Sequence, residues 1–155
     1  MILITGATGM VGRYLVPQLV SAGWKVRVTV EPGRHRHDAW PEGVDVVQAE
    51  LNDSEALHRA MQGVHTVIHL ASAQWWGKRR DLERIDVQGT RQVIAAGRSA
   101  RIGRIIYLSQ LGAEPSSGYL LLRIKGQVEA LIRNSGIAYT IMRCGVVFGP
   151  EDRFV

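Results

Sequence analysis

Short apolar runs alternate along this chain with longer segments whose apolar residues recur at helical spacing. Residues 1–5 form an apolar run of strand length. In residues 10–22, Val11, Leu15, Val16, Leu19 and Val20 share one face, which predicts an amphipathic helix. Pro17 lies inside that helix, where it bends the axis or forfeits a hydrogen bond. Gly23 is placed to close it as a C-terminal cap. Residues 25–30 and 44–48 predict a second and a third strand. Between them, residues 31–43 carry prolines, glycines and a basic cluster, and read as a loop. Asn52, Asp53 and Ser54 offer N-cap side chains to a helix over 54–62. A fourth strand over 65–70, a long helix over 81–96, a fifth strand over 104–109, a helix over 118–134 ended by Gly136, and a sixth strand over 138–143 complete the pattern.

Strands separated by helices imply a parallel sheet covered on both faces. Right-handed crossovers then give an α/β, doubly wound fold. The 155 residues suit one domain, 1–155, with no internal repeat.

Composition narrows the function classes. The formal charge of +5 is almost entirely arginine, since the lysines are only Lys25, Lys78 and Lys125, and no run of basic residues stands out. Solvated surface arginine is the reading, and nucleic-acid binding has nothing but net charge behind it. The single Cys144 excludes an internal disulfide and any paired-cysteine metal site. No histidine pair has zinc-binding spacing, so no metal is expected. His35 and His37 sit among arginines in a loop; His69 sits in an apolar strand and reads as a satisfied core histidine. Met1 leads directly into a strand with no charged leader region, and no apolar stretch has membrane-spanning length. A cytoplasmic protein is therefore expected, with no membrane partner.

The strongest chemical signal is Gly6-Ala7-Thr8-Gly9-Met10-Val11-Gly12, between the first strand and the first helix. In that context a helix N-terminus presents unpaired amides and a positive dipole end to a pyrophosphate. Gly6 permits the tight turn, Gly9 lets the backbone approach the phosphates, and Gly12 lets the helix lie close to the strand.

The G-x-x-G-x-x-G spacing resembles the short-chain dehydrogenase/reductase superfamily, in its extended and atypical branches: epimerase/dehydratase-like and NmrA-like proteins. The likeness runs along the whole chain. Val67-Ile68-His69-Leu70-Ala71-Ser72 resembles the family's fourth strand and the loop beside the cofactor's adenine side. Asp86-Val87-Gln88-Gly89-Thr90 is similar to its N-V-x-G-T, with aspartate for asparagine. Ile106 to Ser109 resembles the fifth strand. Tyr139-Thr140-Ile141-Met142-Arg143-Cys144-Gly145 resembles Y-T-I-L-R-P-G, with Cys144 for the proline near the nicotinamide. The resemblance implies a Rossmann fold that binds NAD or NADP. It implies cofactor contacts from Gly6, Thr8, Gly9, Met10, Val11 and Gly12, from Glu31, Glu50 and Leu51, from Leu70, Ala71 and Ser72, and from Lys125.

At the adenosine end, Glu31 stands 19 residues after Gly12, where an acidic side chain accepts hydrogen bonds from the ribose hydroxyls of NAD and repels a 2′-phosphate. That gives a slight lean to NAD. Arg34 and Arg36 follow, either as a solvated loop or as phosphate ligands. Glu50 stands either at the adenine amino group or at a solvated strand end.

At the chemistry end the likeness fails. Aligning Tyr119 to Glu129 with the family's Y-L-R-S-K-G-E-V-E makes Lys125 the family lysine and puts Leu121 where the tyrosine acid/base belongs. Tyr119 lies six residues before Lys125, about 240° around the helix. Tyr119 with Arg123 is a conceivable but imperfect pair. Gln110 rather than Ser109 takes the serine's position. No catalytic residue is assigned. Trp75 and Trp76 either line the cleft or serve packing or a subunit contact. The expectation is an NAD(P)-binding protein of the oxidoreductase or epimerase/dehydratase kind that lacks the tyrosine, acting on an unidentified small molecule. The alternative is a non-catalytic dinucleotide-sensing or assembly module. A shortened form, without the family's C-terminal substrate lobe, would leave apolar surface for a homo-oligomer or partner chain.

Overall fold

The computed structural model describes residues 1–33, 40–73 and 77–149. Six strands, β1 (Ile2–Thr5), β2 (Val26–Val30), β3 (Asp45–Gln48), β4 (Thr66–His69), β5 (Arg104–Gln110) and β6 (Ala138–Cys144), form one sheet in the order β3-β2-β1-β4-β5-β6. Every pairing is parallel. The helices are α1 (Met10–Ser21), α2 (Ser54–Ala60), α3 (Arg79–Leu82), α4 (Gly89–Ser99) and α5 (Leu120–Arg133). This is the doubly wound α/β fold that the sequence predicts.

Strand alternation sorts the core onto the two faces of the sheet. Leu3, Val67, Ile105 and Tyr107 point one way, into a core closed by Leu57 of α2, Val93 of α4 and Ile124, Val128 and Ile132 of α5. Ile2, Ile4, Val26, Val28 and Ile68 point the other way, onto Val16 of α1. Burial of a single such side chain is worth about 1.5–3 kcal/mol, so these two layers hold the strand ends in place.

Helix α1 runs through Pro17, which has no N–H to give the carbonyl of Arg13. Gly23, at φ +83°, closes it as expected: its N–H meets Val20 O at 2.9 Å, and Trp24 N–H meets Leu19 O at 3.0 Å. The expected single helix over 81–96 is three pieces. Between α3 and α4 lies a π-helical segment, Glu83–Gln88. The apolar period that predicts a helix there does not distinguish a π turn from an α turn.

Arg34, His35, Arg36, His37, Trp75 and Trp76 lie outside the described residues, as does everything after Gly149. Among the described residues, no helix is long and apolar enough to cross a membrane. No group of three or more His, Cys, Asp or Glu among them is placed to hold a metal ion.

Candidate functional site

The strand order reverses direction at β1 and β4, so their C-terminal ends open a crevice with the glycine loop on one side and the post-β4 loop on the other. Leu70 N–H bonds Thr5 O at 3.0 Å and closes the floor.

The three loop glycines differ in what they do. Gly6 has φ +73°, and a Cβ there would sit 2.5 Å from Ala71 N. It therefore lets the glycine loop touch the post-β4 loop. A Cβ on Gly12 would lie 2.3 Å from Ala7 O, so this glycine seats α1 against the loop. A Cβ on Gly9 would meet only Gly6 O, at 3.2 Å. That contact with a backbone carbonyl is tight, but it asks for a shift of only a few tenths of an ångström, far less than at Gly6 or Gly12. Gly9 is also the N-cap of α1. Among the described residues no side chain caps this helix, and its first turn holds no acidic residue. The amides of the first turn thus keep their positive field. Thr8, Met10 and Val11, half-buried, complete the rim. Thr8 offers its carbonyl to Arg13 Nε at 3.2 Å.

Glu31 follows β2 directly, and Glu50 and Leu51 follow β3, so all three lie at the C-terminal edge of the sheet on the glycine-loop side of the crevice. Both carboxylates are exposed. Leu51 packs against α4 at Gly89, where a Cβ would come within 2.9 Å of Leu51 Cδ1.

Across the crevice, Leu70, Ala71 and Ser72 are half-buried. Asp86, buried in the π segment, holds their loop: its carboxylate accepts from Ser72 Oγ at 2.7 Å and from Ala73 N–H at 2.9 Å. The same carboxylate lies 3.4 Å from Lys125 Nζ, which is buried with it. The Tyr107 ring supports Nζ from a centroid 5.1 Å away. Burial lowers the Lys125 pKa, and the Asp86 charge and hydrogen bond partly offset that. Burial raises the Tyr107 pKa well above its usual value, and the charges of Asp86 and Glu129 add to this. The Tyr107 hydroxyl has no hydrogen-bond partner among the described residues.

His69 is the core histidine that the sequence suggests. Its Nδ1 lies 2.6 Å from Thr5 Oγ1 and its Nε2 lies 2.9 Å from Thr90 Oγ1. Thr90 gives its own proton to Asp86 O. Nε2 of His69 therefore carries the proton, and Nδ1 accepts from Thr5. Burial, reinforced by the Lys125 charge, lowers its pKa to about 3, so the ring is neutral.

At the chemistry end, the residues aligned with the short-chain dehydrogenase pattern take up separate positions. Leu121 packs on the core. Tyr119, at the N-cap of α5, is 77% exposed. Arg123 gives Nη1 to Ser117 O at 3.3 Å. Ser109 gives its hydroxyl to buried Glu129 at 2.6 Å, and Gln110 ends β5 half-buried. Glu129 also takes Arg143 in two bonds, at 2.9 and 2.6 Å, and Arg133 in one at 2.8 Å. Burial alone would raise the Glu129 pKa, but the bonds from Arg143 and Ser109 and the charges of Arg143 and Arg133 outweigh it and hold the pKa low. Sequence reasoning missed Glu129 and the Asp86–Lys125 pair. The aspartate standing for asparagine at position 86 was the one signal available.

A family model described as NAD(P)H-binding matches residues 6–152. The chain belongs to the NAD(P)H-binding family. Relatives lie on both sides of the expected functional divide. An uncharacterized protein of Mycobacterium tuberculosis is 33% identical over 96% of this chain and 15% of its own length. The ceramide reductase of Caulobacter vibrioides is 36% identical over 97% of this chain and 47% of its own. The photosystem II assembly factor Ycf39 of Cyanophora paradoxa is 30% identical over 96% and 46%. Among solved structures, an NADPH-dependent quinone oxidoreductase from Escherichia coli, complexed with NADPH, superposes with a TM-score of 0.77 at 30% identity. That match covers 92% of this chain and 48% of the other. The chain thus spans about half the length of the latter three proteins and a smaller part of the first. Membership in the family makes a nicotinamide dinucleotide the cofactor of this domain.

Proposed function

We propose that this domain seats the pyrophosphate of NAD(P)H on residues 6–12 and serves an oxidoreductase whose reaction uses no tyrosine acid/base. The observation that carries the proposal is the α1 N-terminus: among the described residues it has no side-chain cap and no acidic residue in its first turn, and it begins at a glycine whose Cβ position is less tightly closed than those of Gly6 and Gly12. An anion at this point would complete hydrogen bonds that the helix leaves open.

In this reading Leu70, Ala71 and Ser72 line the far wall, Leu51 and Glu50 the adenine end, and Lys125 the nicotinamide ribose. Glu31 accepts from the adenosine ribose hydroxyls and gives a mild preference for NAD over NADP. The dinucleotide, when bound, supplies a hydride donor or acceptor. The residues of this chain bind and orient it. Leu121 lies on the core and Ser109 is committed to Glu129, so neither delivers a proton.

The test is calorimetric titration of wild type and Gly9→Val with NADH and NADPH. Wild type is expected to bind both, NADH somewhat more tightly. Gly9→Val is expected to lose at least tenfold, about 1.4 kcal/mol, with its fold intact. Equal binding by the two proteins, or no binding by wild type, refutes the site. Wild type that prefers NADPH by tenfold refutes the role given to Glu31.

A further inference from the structure

We infer that Asp86 is a positioning residue for the dinucleotide site, holding Lys125 and the Ser72–Ala73 loop in register across the crevice. The inference rests on the dinucleotide reading above. Three observations meet at this one carboxylate. It accepts from both Ser72 Oγ and Ala73 N–H. It is the counter-ion within 4 Å of Lys125 Nζ. And it stands in a π turn, whose wider backbone loop carries a side chain off the regular helix register. Thr90 fixes that turn by donating to Asp86 O, and His69 anchors Thr90 to the end of β1 through Thr5.

A loop support alone would not need a carboxylate. An asparagine could accept from Ala73 N–H through its oxygen and donate to Ser72 Oγ through its nitrogen, because a hydroxyl takes either role. What asparagine lacks is the charge that compensates a buried ammonium. Unpaired, a buried lysine loses its proton easily. The groups facing Lys125 from packed elements are Asp86 on the π segment, the Tyr107 ring on β5 and the neutral ring of His69 on β4. One turn further along α5, Glu129 is committed to Arg133 and Arg143. Among the described residues, Asp86 is the acidic partner of Lys125.

Asp86→Asn therefore keeps the loop and removes the charge, which makes it the variant of choice. Two readouts are needed. In dinucleotide-free protein, the carbon-13 shift of Lys125 Cε reports its titration directly, and the midpoint is expected to fall in Asp86→Asn. In titrations with NADH and NADPH, Asp86→Asn is expected to bind about tenfold more weakly near neutral pH, the scale of a hydrogen bond to a charged group. The deficit is expected to widen between pH 6 and pH 9, because the neutral amine of Lys125 becomes populated earlier. Adding Asp86→Asn to Lys125→Met is expected to cost nothing more, since the pair acts through Lys125. An unmoved Lys125 midpoint overturns the inference. So does Asp86→Asn binding within twofold of wild type, or tighter, at every pH, and so does full additivity with Lys125→Met. Wild type that binds neither dinucleotide overturns the reading of the site itself and this inference with it.

Discussion

The two walls of the crevice are built on different principles. The glycine-loop wall is made of backbone: a turn at positive φ, two contacts that no Cβ tolerates, and a helix end that no side chain among the described residues caps. The opposite wall is made of side chains brought together from β4, the π segment, β5, α5 and β6, with Asp86, Lys125 and Glu129 buried at its centre. The first wall offers backbone N–H groups at a helix start, whatever side chains surround it. The second depends on a few ionisable groups and varies with them. The tyrosine position at Leu121 belongs to the second wall, and so do the departures at Asp86 and Cys144.

The largest effect should come from confusing the two kinds of glycine in the first wall. Gly12→Ala would drive a Cβ into the backbone of Ala7 and separate α1 from the loop. It should cost about 3 kcal/mol or more, the upper range for overpacking. Gly9→Val replaces a glycine N-cap with a poor one and presses on Gly6 O; it should cost about 1 kcal/mol, less than Gly12→Ala, while losing the dinucleotide. Urea unfolding of both variants checks the division. Similar stability losses would mean that all three loop glycines are structural.

The same difference explains what was legible. Gly6, Gly9 and Gly12 act within one strand–turn–helix unit, so their spacing states the geometry directly. The parallel, doubly wound sheet follows from the alternation of elements and the handedness of crossovers, but its strand order is seen only in the structure. The second wall is written in pairs far apart in the chain, such as Ser72 with Asp86 and Ser109 with Glu129. No local period links these partners. The π turn is equally hidden, because one extra residue in a helical loop leaves the apolar pattern over 81–96 almost unchanged. His69 could be read as a core histidine because its strand is apolar, but its threonine partners lie 64 residues before it and 21 after it.

A middle-sized effect should join the two walls through His69. The unfolded chain protonates this histidine near its ordinary pKa of 6.5, whereas the folded protein holds it at about 3. Its contribution to stability is therefore complete above pH 6.5 and is lost as pH falls from there toward 3, at about 1.4 kcal/mol per pH unit. Between pH 6.5 and pH 5 that amounts to about 2 kcal/mol. Urea unfolding of wild type across this window should show the slope. His69→Gln should be less stable at neutral pH and should lack this part of the slope. A variant with the wild-type slope would show that His69 is not the group that titrates.

The smallest effect should be that of Tyr119→Phe. An acid/base phenol has to stand beside Lys125, yet Lys125 is buried between Asp86 and Tyr107 while Tyr119 is 77% exposed at the start of α5. Six residues separate them, about 240° around the helix, and no local rearrangement of α5 brings the two onto one side. Arg123 cannot replace the lysine: it remains charged at any working pH, and its Nη1 already meets Ser117 O. Removing the Tyr119 hydroxyl should change stability by no more than about 0.5 kcal/mol, as for other surface positions. It should leave dinucleotide affinity within about twofold, about 0.4 kcal/mol. The deciding assay follows NAD(P)H oxidation with aldehyde, quinone and sugar-nucleotide substrates in wild type and Tyr119→Phe. Turnover that survives the substitution fits a reaction taking its proton from elsewhere. A fall of roughly 10²–10⁴-fold, the usual loss with a general acid/base, would make Tyr119 that acid/base and would require α5 to turn its exposed face into the crevice when substrate binds.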